Sequence, residues 1–184
     1  LQDLSDNFLM MKVKSGDLDK LGLLYERYKK RLFGFFYNLG NNPSVSEDLV
    51  QNVFLRILKY RNSYTGEGAF TAWMFRMARN VNHDHYKKIS KESTYRKVLL
   101  EDTEVKSAND LDDALEQKGN EVLLRKALTR LPVEKREILL LSKYREMRFH
   151  EIAEVLGCSE GAAKVRVHRA LKDLRTIFLQ LEMT

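Results

Sequence analysis

The sequence predicts an all-α fold: two small helical domains joined by a flexible acidic linker, the C-terminal one containing a helix-turn-helix. Three observations carry this reading. Only two prolines and nine glycines are spread over 184 residues, while Leu, Glu, Lys, Arg, Ala and Met abound, which favours long helices over strands and turns. Apolar residues recur at helical spacing in two blocks. Between them the periodicity fades, and Glu101, Asp102, Glu104, Asp110, Asp112, Asp113 and Glu116 outweigh Lys106 and Lys118. The length suits one ordinary domain or two small ones, and the expected boundaries are 1–89, 90–118 and 119–184.

The elements follow in order. A short first helix ends at "KSGD", with Gly16 closing it, and a longer one runs from about Asp17 to Leu39 before "GNNP". Ser44 and Glu47 stand at capping-box spacing for a helix reaching about Asn62, because serine oxygen and glutamate carboxylate satisfy amides that the first turn leaves unpaired. After "SYTGEG" a helix runs from near Ala69 to about Lys88. Periodicity resumes over Glu121 to Arg130, and Pro132 suits the first residue of a new helix. In "FHEIAEVLGCSEGAAKVRVHRAL" one helix ends at Gly157, a residue fit for a left-handed cap, and Ser159 caps the next. Ala153 is small where a second helix must come close, completing a helix-turn-helix pattern.

Composition excludes several classes of function. One cysteine, Cys158, allows no internal disulfide and no multi-thiolate metal site. No apolar run approaches the ~18 residues of a membrane span, and the N-terminal residues lack the parts of a secretory signal, so a reducing cytoplasm is expected. "HEIAE" at His150 lacks the second histidine of a zinc-protease helix. His83 and His85 do not share a helix face. "GEGAFT" lacks the lysine and spacing of a phosphate loop. No catalytic residue, metal, cofactor or small-molecule substrate is therefore expected. The net charge of +6 favours a polyanionic partner.

Three helix faces hold candidate binding residues. On the last helix a 3.6-residue wheel aligns Ala163, Val167, Ala170, Leu171 and Leu174 toward the core. The outward side then carries Gly161, Val165, His168, Arg169 and Lys172, flanked by Lys164 and Arg166. A valine among cations fits a major groove, where an apolar group meets a thymine methyl and Arg or Lys donates to guanine edges and phosphates. On the helix from Ala69, Phe70, Trp73, Met74, Met77 and Val81 form a core side. Arg76, Arg79, Asn80, His83 and Lys87 gather opposite, bordered by Trp73, Phe75 and Tyr86. Such a mixture suits an unpaired strand: cations attract the backbone, rings stack on bases and an amide hydrogen-bonds a displaced base. On "SEDLVQNVFLRILKY", Leu49, Val50, Val53, Phe54, Ile57 and Leu58 form the apolar sector. Leu55 lies outside it among Asp48, Gln51, Asn52 and Lys59, an apolar anchor with a polar rim.

"YERYKKRLFGFFYNLG", "EDLVQNVFLRILKY", "GAFTAWMFRMARN" and "LPVEKREILLLSKYREMRFHEIAEVLGCSEGAAKVRVHRAL", in that order, resemble the extracytoplasmic-function sigma factors of bacterial RNA polymerase. The resemblance covers most of the chain outside the connector. It implies a cytoplasmic promoter-recognition subunit that binds core RNA polymerase and promoter DNA and has no catalysis of its own. Residues 1–89 would bind polymerase and recognise and melt the minus-ten element, and 119–184 would recognise the minus-thirty-five element. By the same likeness, Asp48, Gln51, Asn52, Leu55 and Lys59 face the polymerase clamp helices. Tyr64 and Asn80, with the intervening "TGEGAFTAW", match the family's machinery for opening the minus-ten element and holding a flipped base, and Trp73, Arg76, Arg79, His83 and Lys87 of the cationic face are expected to serve with them. Lys164, Val165, His168 and Arg169 match the family's positions that read the upstream element, and Ser159, Gly161 and Arg166 on the same helix are expected to serve with them. Where many relatives have serine, this chain has Val165, and where many have an aromatic it has His168. An anti-sigma protein is a further partner that the family admits. The alternative is a stand-alone helix-turn-helix regulator with an N-terminal dimerisation or sensing domain.

A connector of about 28 residues reaches about 95 Å extended but spans only about 30 Å as a coil. Elements two DNA turns apart lie roughly 70 Å from each other. The connector can bridge that gap without measuring it.

Overall fold

The structure is a computed structural model that describes the backbone of residues 4–99, 119–143 and 147–183, and side chains over 4–91, 122–143 and 147–183. It is all-α among the described residues. The N-terminal half holds α1 (Asp6–Lys14), α2 (Asp19–Asn38), α3 (Pro43–Tyr60), a 3-10 turn (Arg61–Ser63) and α4 (Phe70–Leu99). The C-terminal half holds α5 (Gly119–Arg130), α6 (Val133–Lys143), α7 (Phe149–Leu156) and α8 (Glu160–Glu182). The seven acidic residues expected to dominate the connector lie outside the described residues.

Local chemistry sets the helix ends. Ser5 caps α1 by accepting from the Phe8 amide, and Gly16, at φ 104°, turns the chain where a side chain would be strained. The start of α3 differs from the expected Ser44 and Glu47 pair. Asn42 is the cap, its side chain accepting from the Val45 amide at 2.8 Å, with Pro43 as the first helical residue. Proline's fixed φ preorganises that earlier start. Likewise α6 begins at Val133, one residue after Pro132. α4 continues to Leu99, well past the expected end near Lys88.

The N-terminal core is aromatic. On α2, Tyr28, Leu32, Phe35 and Phe36 are buried; Phe35 packs edge-on against Phe75 of α4, their centroids 5.4 Å apart. Each such side chain is worth about 1.5–3 kcal/mol on burial. Asp6 accepts from the Tyr28 hydroxyl and, at 2.7 Å, from Arg27, tying α1 to α2. In the C-terminal half α8 packs on α5, α6 and α7, with Ala163, Val167 and Ala170 buried and Leu174 partly so. Leu171, expected in that stripe, is 51% exposed. The packed side of α8 follows Ala163, Val167, Ala170, Leu174 and Ile177, and Leu171 falls beyond its edge.

The two halves meet. α4 lies against α7, and α2 touches α5 and α6. Buried Arg136 of α6 donates to the Leu39 carbonyl at 2.7 Å, and to those of Thr129 and Leu131. It thereby caps the C-terminal end of α2, where carbonyls lack helical partners. Arg125 of α5 donates to the Tyr37 hydroxyl and covers its ring at 3.6 Å.

Candidate nucleic-acid and polymerase interfaces

The outer side of α8 is built by the turn before it. Gly157 takes a left-handed φ of 64°, and the Ser159 side chain accepts from the Ala162 amide at 3.2 Å. Those two devices fix the angle between α7 and α8, and buried Ala153 lets them approach. Ser159, Gly161, Lys164, Val165, Arg166, His168 and Arg169 are all exposed, Val165 by 49%. The sequence wheel therefore described the real surface. Lys164 reaches back 2.8 Å to Glu160, whose carboxyl it holds below its ordinary range.

On α3, Asp48, Gln51, Asn52, Leu55 and Lys59 are all exposed, and they recur at three- and four-residue steps and so line one face. Leu55 is 63% exposed at its centre. Beside Gln51 a groove of about 310 Å³ opens between α2 and α3, lined also by Tyr25, Phe33 and Val50.

On α4, Arg76, Asn80, His83 and Lys87 are exposed and Arg79 is half-buried. Arg76 and Arg79 are engaged with the other half of the chain. Arg76 donates to the Glu154 carbonyl at 2.6 Å, and Arg79 to that of Val155 at 3.0 Å. Both acceptors sit in the last turn of α7, the negative end of its dipole. Arg79 also pairs with Glu137 of α6 at 2.9 Å. Burial pushes the Glu137 carboxyl above its ordinary range, and the bond from Arg79 only partly offsets this.

Two aromatics expected at this face belong to the core. Tyr64 is 2% exposed and Phe75 1%; Tyr64 stacks obliquely on Trp73, centroids 5.0 Å apart, and meets Phe70 edge-on. α4 is covered on several sides, by α1, α3 and α7, so a position off the main apolar stripe is still interior. The Tyr64 hydroxyl is buried without a partner among the described residues, and burial raises its pKa to about 12. Trp73 is half-buried against the core. Sequence reasoning missed Asn7, which reaches from α1 to the loop before α4: its side chain donates to the Gly68 carbonyl at 2.8 Å and accepts from the Phe70 amide at 2.9 Å. Only its place within a short amphipathic helix was visible in the sequence.

Comparison with known proteins defines the class. Residues 24–92 match sigma-70 region 2 and residues 121–174 match sigma-70 region 4. The RNA polymerase sigma factor CarQ of Myxococcus xanthus is 30% identical, over 95% of this chain and 98% of CarQ. The ECF RNA polymerase sigma factor BldN of Streptomyces coelicolor is 31% identical over 90% of this chain, which spans 63% of that relative's length. The fold resembles CnrH, solved in complex with the cytosolic domain of CnrY, with a TM-score of 0.68 and 22% identity over 94% of this chain and 96% of that one. The chain belongs to the extracytoplasmic-function group of the sigma-70 family: it is a sigma factor, which directs promoter-specific transcription initiation with core RNA polymerase, and not a stand-alone regulator. No helix among the described residues is long and apolar enough to cross a membrane.

Proposed function

We propose that the three faces divide the work of initiation as follows. The α3 face centred on Leu55 docks on core polymerase, with Asp48, Gln51, Asn52 and Lys59 as its rim. The outer face of α8 reads the minus-thirty-five element through Lys164, Val165, His168 and Arg169, with Ser159, Gly161 and Arg166 at the phosphates. Arg76, Arg79, Asn80, His83 and Lys87, with the edge of Trp73 and the loop from Thr65 to Ala69, open and hold the minus-ten strand. Tyr64 serves this site as its floor, a buried ring under Trp73.

The observation that carries the reading is the exposure of Val165 among cations on a helix whose opposite side is buried. An apolar group so placed gains little from water and much from a thymine methyl.

The same reading requires the halves to part. Arg76 and Arg79 are bonded to α7, and a Cβ placed on Gly68 of the minus-ten loop would stand 3.4 Å from Glu154. α7 therefore overlies the site proposed for the minus-ten strand. An arginine-to-carbonyl bond at a seam partly open to water is worth about 1–2 kcal/mol, which polymerase and phosphate contacts can replace. The expected linker of 90–118 is shortened at its start, because α4 runs on to Leu99, and the segment between α4 and α5 joins the parted domains. The chain acts in the cytoplasm with polymerase and carries out no catalysis itself. An anti-sigma protein is a further proposed partner, competing for these same surfaces.

In-vitro transcription with purified core enzyme and a promoter library tests the assignment. Transcripts should require both core and this chain, and selected promoters should share two blocks about two helical turns apart. Tight sequence-specific duplex binding by the chain alone, with no core-dependent transcription, would contradict it.

A further inference from the structure

The loop of Thr65 to Ala69 must hold one shape if it is to receive an unpaired base, yet it contains two glycines at positive φ, 81° at Gly66 and 73° at Gly68. Glycine there permits the turn but supplies no rigidity, since it has the most conformational freedom to lose. We infer that α1 supplies the missing rigidity, with Asn7 as the positioning residue for the minus-ten loop. The inference rests on the proposed role of that loop.

The Asn7 amide does two things at once. Its Nδ2 donates to the Gly68 carbonyl at 2.8 Å and lies 3.5 Å from that of Gly66, while its Oδ1 accepts from the Phe70 amide at 2.9 Å. One side chain thus fastens the end of the loop and satisfies an amide in the first turn of α4, which no intrahelical carbonyl can reach. Only a side-chain amide offers a donor and an acceptor at that spacing. Aspartate keeps the acceptor but turns a negative oxygen toward the Gly68 carbonyl; leucine has the shape and neither bond.

Two further contacts from α1 reach the same loop. Lys14 donates to the Tyr64 carbonyl at 2.5 Å, where the loop begins. The Met11 sulfur would lie 3.3 Å from a Cβ on Gly66. α1 therefore holds the start, middle and end of the loop from one side, while Thr65, Glu67 and Gly68 stay exposed. α1 precedes the residues that match sigma-70 region 2, which begin at residue 24.

The test uses full-length chain in complex with core polymerase. The probe is a labelled non-template oligonucleotide carrying the minus-ten sequence recovered from the promoter library, alongside a copy with its flipped base replaced. Asn7→Leu should lose about tenfold in affinity for the first oligonucleotide, the effect of one to two net hydrogen bonds, and should distinguish the two oligonucleotides less well. Asn7→Asp should fall between. Core affinity and the footprint over the minus-thirty-five element should match wild type. Wild-type affinity and discrimination in Asn7→Leu would overturn the inference. Equal losses of core binding, upstream footprint and single-strand binding would also overturn it, since they would mark a residue that serves the stability of the whole N-terminal half. If instead the wild-type holoenzyme fails to bind any single strand, or if Thr65→Ala and Glu67→Ala leave opening and base preference unchanged, the role proposed for the loop fails.

Discussion

Arg79 and Glu137 face each other across the seam between the two halves, the arginine Nε 2.9 Å from the carboxylate. Burial opposes the charged form of this carboxylate, and the arginine offsets that only in part. Burial raises the Glu137 carboxyl above its ordinary value, so the folded chain takes up this proton more readily than the unfolded one. Its contribution to stability is then full below that ordinary value and is lost as pH rises through the raised one. Glu137→Gln keeps an acceptor for Arg79 and removes the buried charge. It should raise the melting temperature at neutral pH by about 2–4 °C, the equivalent of roughly 1 kcal/mol for a chain of this size. The gain should vanish near pH 4, where glutamate is protonated too. A clear loss at neutral pH would show that the ion pair dominates its desolvation.

Tyr64 offers a sharper contrast between structure and sequence pattern. Its hydroxyl is buried and has no partner among the described residues, so Tyr64→Phe should be neutral or stabilise by about 1 kcal/mol. Open-complex formation by the holoenzyme, followed by permanganate reactivity of unpaired thymines, should be unchanged. A tenfold drop would restore Tyr64 to the DNA surface.

Lys164 and Arg169 lie on the exposed side of α8, away from its buried strip. Their joint replacement by alanine should abolish preference for the minus-thirty-five element and leave core binding intact. Loss of one or two base contacts costs about 1–3 kcal/mol each. A footprint that still covers and distinguishes that element would refute the assignment.

Leu55 is 63% exposed and central to the outer face of α3. Leu55→Asp should weaken core binding at least tenfold, because a charge would enter a desolvated contact, while the melting temperature changes by less than about 1 °C. Wild-type capture of core polymerase would rule out the contact.

The sequence displayed more of this molecule in its helices and outward faces than in its seams. The wheel found the outer side of α8 because one strip of small and apolar residues, Ala163, Val167 and Ala170, repeats at helical period. It misplaced Leu171, since a wheel gives an angle and not the width of what packs there. The cap of α3 was read two residues late because Ser44 and Glu47 form a sound capping pair, while Asn42 and Pro43 form a better one. Phe75 borders the outward face on a wheel yet is interior because α4 is covered on more sides than its own apolar stripe reveals, and Tyr64, placed at the DNA by family likeness alone, packs from the preceding turn onto Phe70 and Trp73. The bonds of Arg76, Arg79 and Arg136 were invisible because their acceptors include backbone carbonyls, which every residue has. Asn7 escaped for the same reason: its partners are a carbonyl and an amide about sixty residues away.

If Arg76 and Arg79 take the minus-ten strand as proposed, promoter binding is also an opening of this seam. Dyes on Glu26→Cys and Glu182→Cys, in a Cys158→Ser background, would report the distance between the halves, since both positions are exposed and lie outside the proposed contacts. The free chain should show one short distance with efficient energy transfer. Addition of core polymerase and promoter should lengthen it by tens of ångströms, toward the roughly 70 Å that separates two elements two helical turns apart. An unchanged short distance in a transcribing complex would contradict the account, for Arg76 and Arg79 cannot hold both α7 and a DNA strand.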